Sequence, residues 1–202
     1  MKLVFATGNA HKARELGLLL APLGIELVSF REHTGAPFEL EETGATFEAN
    51  AQLKAEHAAH VTGLPSIGDD SGLEVEALGG APGLYSARYA GPGSKDTDNN
   101  ARLVRELTDL GAPEPYSARF VCVLACVWPV DAAGARAPIV VRGECQGHVL
   151  TEAHGGSGFG YDPLFVPAGQ HRRMAELSDS EKNAISHRGM AVKAFAAAWA
   201  TP

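Results

Sequence analysis

The chain has 202 residues, of which 45% are hydrophobic, and a formal net charge of -7 at pH 7. It is long enough to bury a core as one folded unit. Its acidic balance argues against a nucleic-acid partner, since Lys and Arg must neutralise phosphates to supply nonspecific affinity, but leaves room for a small anionic ligand held by a local basic cluster.

The apolar run at Met1–Gly8 is too short for a secretory segment or a membrane span, so a cytoplasmic location without a membrane partner is expected. Cys122, Cys126 and Cys145 are an odd set, two of them within an apolar run, and read as buried free thiols. No repeat or long linker divides the chain, which is expected to form a single domain over 1–202 with no legible internal boundary.

In chain order, Leu3–Ala6 predicts a short buried strand that stops at Thr7-Gly8-Asn9. Lys12–Leu20 then carries Leu16, Leu19 and Leu20 at helical spacing. Thr46 can cap a second helix with a stripe of Phe47, Ala51, Ala55, Ala58 and Ala59, ending near Gly63. A short strand over Ser66–Gly68 is expected next, then a loop at Asp69-Asp70-Ser71-Gly72, then a strand through Leu73, Val75 and Ala77. A helix over Thr97–Leu110 buries Leu103, Leu107 and Leu110. Ser117–Val130 and Ile139–Leu150 read as long strands joined by a hairpin at Asp131–Gly134. Ser178 and Glu181 form a capping box for a last helix whose buried face carries Ile185, Val192, Phe195 and Trp199. These elements predict a mixed α/β (α+β) class with a substantial sheet.

Several familiar signatures are absent. Gly155–Gly160 is misspaced for a dinucleotide loop, there is no Walker A sequence or G-x-S-x-G elbow, and Glu56–His60 has the wrong order for H-E-x-x-H. Thr7-Gly8-Asn9 with Lys12 can cradle phosphate at a helix start, although, taken alone, an ordinary turn and helix cap explains it better. Asp69-Asp70 and Glu41-Glu42 offer carboxylates from separate segments, as Mg²⁺ requires when substrate phosphates complete its shell; either pair alone reads better as a solvated turn. Phe159-Gly160-Tyr161-Asp162 joins aromatics to a carboxylate and suits either a base-stacking platform or a packed turn. Lys182, His187 and Arg188 place cations at a helix start, where the dipole disfavours them unless an anion is near.

The ordered set Thr7-Gly8-Asn9-x-x-Lys12, Glu41-Glu42-Thr43-Gly44-x-Thr46-Phe47, Asp69–Leu73, Gly79–Tyr89, Phe159–Pro163 and Ser186-His187-Arg188 resembles the inosine/xanthosine triphosphate pyrophosphatase family across nearly the whole chain. The resemblance implies an elongated mixed sheet in two α/β lobes with the active site in the cleft between them, a homodimer, and Mg²⁺-dependent hydrolysis of dITP, ITP or XTP to the monophosphate and pyrophosphate. It also implies residue roles. Thr7, Gly8, Asn9, Ala10, His11 and Lys12 would hold the triphosphate, Asp70 would bind Mg²⁺ and activate water, and Glu42, with Glu41 as the neighbouring register, would give a second metal contact. Ser71 would touch the substrate, and Phe159, Gly160, Tyr161, Asp162, Lys182, His187 and Arg188 would form the nucleoside side. Ala49 departs from the family pattern, which often has Glu there. A related pyrophosphatase with another preferred base, or a non-hydrolysing purine-nucleotide sensor, are the competing readings; a sensor has no need of a water-activating Asp70.

Overall fold

A computed structural model describes residues 1–129 and 136–200. The hairpin turn expected at Asp131–Gly134, with Val130 before it, lies outside the described residues. Six strands form one mixed sheet: β1 (Lys2–Ala6), β2 (Glu26–Ser29), β3 (Ser66–Val75), β4 (Tyr116–Val127), β5 (Ile139–Val149) and β6 (Phe165–Pro167), ordered β2-β1-β3-β4-β5-β6. β1 is parallel to both β2 and β3, whereas β5 and β6 are antiparallel. The helices are α1 (Ala10–Leu20), α2 (Phe30–Thr34), α3 (Phe47–Thr62), α4 (Asp96–Asp109), α5 (Asp179–Ile185) and α6 (His187–Trp199). Among the described residues no helix is long and apolar enough to cross a membrane.

The chain divides into two compact units, and strands β3, β4 and β5 contribute residues to both. The first comprises the described residues of 1–70, 122–143 and 188–202, with a core of Leu3, Phe5, Leu16, Ile67, Leu124 and Phe195. The second comprises 71–121 and 144–187, with Leu73, Leu103, Leu107, Phe120, Val149 and Phe165 inside. β1 reads as a continuous apolar run because parallel neighbours flank it on both sides and its residues 3–6 are all buried.

Local chemistry sets the helix ends. Asn9 Oδ1 accepts the N–H groups of His11 (2.9 Å) and Lys12 (3.1 Å) at the start of α1. Thr46 Oγ1 accepts Ala49 N–H at 3.1 Å to open α3, and Gly63, left-handed at φ 65°, closes it. Ser178 and Glu181 make the expected capping box on α5.

Several expectations are corrected. Residues 66–75 form one ten-residue strand instead of two strands around a loop, so Asp69 and Asp70 lie mid-strand; Ala77 belongs to a 3₁₀ turn. The carboxylates hid this strand because they are buried and paired, a state that polarity alone does not reveal. The last helix is broken at buried Ser186, whose extended backbone (φ -68°, ψ 156°) ends α5 and begins α6. Lys182 therefore sits in the last turn of α5, where the dipole favours a cation, and not at a helix start. Leu110 caps α4 from outside and is 47% exposed instead of sharing the buried face of Leu103 and Leu107. β4 stops at Val127 and β5 at Val149, each short of the predicted end, and β2, α2 and β6 are too short for periodicity to announce.

Candidate active site

Successive side chains of a strand point to opposite faces, so Asp69 and Asp70, adjacent in β3, enter different surroundings within the first unit. Asp69 meets Lys12 Nζ at 2.5 Å through Oδ1, while its Oδ2 accepts Arg188 Nε at 2.9 Å and the Cys122 thiol at 3.3 Å. Arg188 also reaches Glu15 Oε2 at 2.5 Å. Lys12 and Glu15, three apart on α1, share the face that makes this possible. The Asp69 side chain is fully buried, which opposes its charge, yet the Arg188 guanidinium and the Lys12 ammonium outweigh burial and hold its pKa well below the ordinary 3.8. Such a carboxylate is a fixed anion and a poor base.

Asp70 faces α3. Its Oδ1 accepts Lys54 Nζ at 2.8 Å and its Oδ2 accepts Asn50 Nδ2 at 3.3 Å. Asn50 and Lys54 lie one turn apart on one face of α3, and Asn50 Oδ1 also accepts Gly44 N–H at 2.8 Å. α3 comes this close because Gly68 shares the Asp70 face of β3; a Cβ there would collide with the Ala51 carbonyl of α3. Burial raises the pKa of Asp70 above 3.8 in spite of Lys54. Neighbouring carboxylates are thus pushed in opposite directions, and Asp70 is the better proton acceptor.

Lys54 Nζ also lies 2.8 Å from Glu42 Oε1, so Glu42, from the segment before α3, converges with Asp70 on one cation. Burial opposes the Lys54 charge, but Asp70 and Glu42 raise its pKa, keeping it an ammonium. Glu48, beside Ala49, instead pairs with Arg142 at 2.9 Å. Two carboxylate oxygens that share one ammonium suit Mg²⁺, which takes one or two carboxylates and leaves the rest of its shell to water and phosphates. Among the described residues there is no group of three or more His, Cys, Asp or Glu able to cage a metal.

Thr7, Gly8, Asn9 and Ala10 line a cavity of about 500 Å³ between β1 and α2, with Arg14 and Arg31 on its wall. Thr7 Oγ1 accepts Asn9 N–H at 3.1 Å, which shapes this loop. His11 is exposed and Lys12 turns to Asp69.

Within the second unit, Asp162 Oδ2 accepts Phe159 N–H at 3.0 Å and Lys182 Nζ at 2.7 Å, and that ammonium lies 4.8 Å from the Phe159 ring centroid. Gly158, at φ 80°, gives the Asp162 carboxylate its space. The Phe159 ring is half-buried, as a stacking platform must be. Tyr161 is buried and donates to Ser86 C=O at 2.9 Å; burial raises its pKa and keeps the phenol neutral. Buried His187 stacks on Phe120 with centroids 4.7 Å apart, and Ser71 is half-buried on β3.

The predicted residues therefore fall into three groups: Lys12 and Arg188 around Asp69, Glu42 and Asp70 around Lys54 on the other face of β3 in the first unit, and Phe159, Asp162 and Lys182 in the second. Arg188, expected on the nucleoside side, meets Asp69 and Glu15. Lys54, Asn50 and Glu15 were missed. A signal existed for Lys54, which interrupts the apolar stripe between Ala51 and Ala55 where a solvated lysine does not belong.

The Ham1 family profile matches residues 3–198. The chain is 47% identical to a dITP/XTP pyrophosphatase of Exiguobacterium sibiricum over 100% of this chain and 98% of that one. It is 48% identical to a dITP/XTP pyrophosphatase of Salmonella paratyphi A over 95% and 94%. A solved HAM1 protein from Coxiella burnetii superposes with a TM-score of 0.86 at 38% identity, covering 100% of both chains. Motif order, fold and near end-to-end identity agree, and the chain belongs to the Ham1 family.

Proposed function

We propose that this chain is a nucleoside triphosphate pyrophosphatase that hydrolyses dITP, ITP and XTP to the monophosphate and pyrophosphate with Mg²⁺ as cofactor. The observation that carries the reading is the contrast between Asp69, a fixed anion, and Asp70, a buried carboxylate with a raised pKa beside Lys54 and Glu42. It is supported by the relatives named dITP/XTP pyrophosphatase.

In this mechanism the Thr7–Ala10 loop, which lines the cavity before α1, receives the phosphates. Asp70 accepts a proton as water oxygen attacks the α-phosphorus; the bond from that phosphorus to the α–β bridging oxygen breaks, and pyrophosphate leaves with the electron pair. Lys12 and Lys54 offset the charge that develops on it. Glu42 and Asp70 would hold the Mg²⁺, which when bound neutralises phosphate charge. Phe159 stacks on the base, while Lys182 and Asp162 present polar groups to its edge. A 6-oxo purine satisfies a donor that a 6-amino purine leaves buried and unpaired. A homodimeric assembly and a cytoplasmic location belong to the same proposal.

The test is pyrophosphate release across a nucleotide panel with and without Mg²⁺. dITP, ITP and XTP should exceed dATP in kcat/KM by about 100-fold or more, as expected where a hydrogen-bonding site rejects the wrong group. Release of orthophosphate in place of pyrophosphate, or equal turnover of dATP, would refute the assignment.

A further inference from the structure

We propose that Asp96 and Asn100 of α4 are positioning residues for base recognition, gripping both peptide groups of Gly160 and thereby fixing the loop Phe159–Asp162. This inference rests on the activity proposed above. Gly160 N–H donates to Asp96 Oδ2 at 2.6 Å, and Asn100 Nδ2 donates to Gly160 C=O at 3.0 Å. The two side chains are four residues apart and so occupy one face of α4. Gly160 is left-handed at φ 63°, the kind of position where the backbone has most freedom to lose. Holding both its donor and its acceptor removes that freedom at the residue between Phe159 and Tyr161.

The end of α4 is itself anchored. Lys95 N–H donates to Asp98 Oδ2 at 2.9 Å, and buried Asn99 accepts Ala90 N–H at 2.8 Å and donates to Ala87 C=O at 3.3 Å. Tyr161 is tied to Ser86 in the same stretch at 2.9 Å. The loop is thus clamped at Gly160 from α4 and at Phe159 from Asp162, and the orientation of the Phe159 ring beside Lys182 depends on both clamps. Asp96 and Asn100 make none of the contacts that surround Asp69 and Asp70.

The experiment compares wild type with Asp96→Ala, Asp96→Asn and Asn100→Ala. Its readouts are kcat and KM for dITP, the Kd of inosine monophosphate, and the inhibition constant of inorganic pyrophosphate, which probes the phosphate side alone. Loss of one loop-ordering hydrogen bond should weaken inosine monophosphate by about tenfold in Asn100→Ala and about threefold in the more exposed Asp96→Ala. KM for dITP should rise in step, with a smaller change in kcat and pyrophosphate inhibition preserved. Asp96→Asn keeps an acceptor oxygen and should restore wild-type affinity. Asp96 is on the surface, so its variants remain informative even if Asn100→Ala fails to fold.

Unchanged inosine monophosphate affinity in Asp96→Ala, a parallel loss of pyrophosphate inhibition, or an Asp96→Asn variant as impaired as Asp96→Ala would overturn the clamp. A wild type that neither binds inosine monophosphate nor releases pyrophosphate from dITP would overturn the proposed activity, and the clamp with it.

Discussion

Arg188→Met removes the guanidinium from Asp69 and Glu15 while keeping a long side chain in a site that is 1% exposed. Breaking a buried ion pair by removing one partner costs about 3–5 kcal/mol, because the remaining charge keeps its desolvation penalty. The Lys12 ammonium stays on Asp69 at 2.5 Å, which places the expected loss near the lower end, about 3 kcal/mol. At roughly 2–4 °C per kcal/mol for a domain of this size, Tm should fall by about 6–12 °C. The pH dependence has a definite sign. A carboxylate whose folded pKa lies below its unfolded value stabilises the protein above the unfolded value, near 3.8, and that contribution is lost as pH falls through the folded pKa. Without Arg188 the depression shrinks, so acid unfolding of the variant should begin at a higher pH than in the wild type. Thermal and urea unfolding between pH 3 and 7 would measure both effects. A loss below about 1 kcal/mol, with the acid limb unmoved and the dITP to dATP ratio of kcat/KM collapsed, would return Arg188 to the base-reading role expected from the sequence.

Two further predictions concern β3. Asp70→Asn keeps the shape of the site but removes the proton acceptor, so kcat in the pyrophosphate-release assay should fall by about 10²–10⁴-fold; near-normal turnover in a folded variant would remove Asp70 from the mechanism. Gly68→Ala drives a methyl group into the Ala51 carbonyl of α3 and should cost about 3 kcal/mol in urea unfolding. Because α3 carries Lys54 and Asn50, activity should fall further than stability explains, and an unperturbed variant would show that the close approach is dispensable.

The sequence announced the elements whose signals are local. Thr46 and Gly63 bracket α3, Ser178 and Glu181 open α5, and the apolar run of β1 is legible from its four buried residues. It misreported β3, because Asp69 and Asp70 look like turn residues until their partners are known, and those partners come from α1, α3 and α6. The same distance in sequence hid the pairing of Arg188 with Glu15, which spans 173 residues. Residue types and motif order pointed to the phosphate loop and the acidic set. Which carboxylate is held as a fixed anion and which has its pKa raised is written in three-dimensional neighbours, and periodicity carries no trace of it.

The way the first unit is threaded bears on how the protein is made. The described residues of its segments 1–70, 122–143 and 188–202 alternate with those of the second unit, 71–121 and 144–187. A chain emerging from the ribosome therefore completes the second unit's residues before the guanidinium that neutralises Asp69 has been synthesised. Domains fold as units and in order of synthesis; here the first unit to begin is the last to finish. Until α6 is delivered, Asp69 is without the Arg188 guanidinium, whose Nε lies 2.9 Å from its Oδ2 in the finished fold. Docking of α6 onto β3 should therefore be a late event in folding.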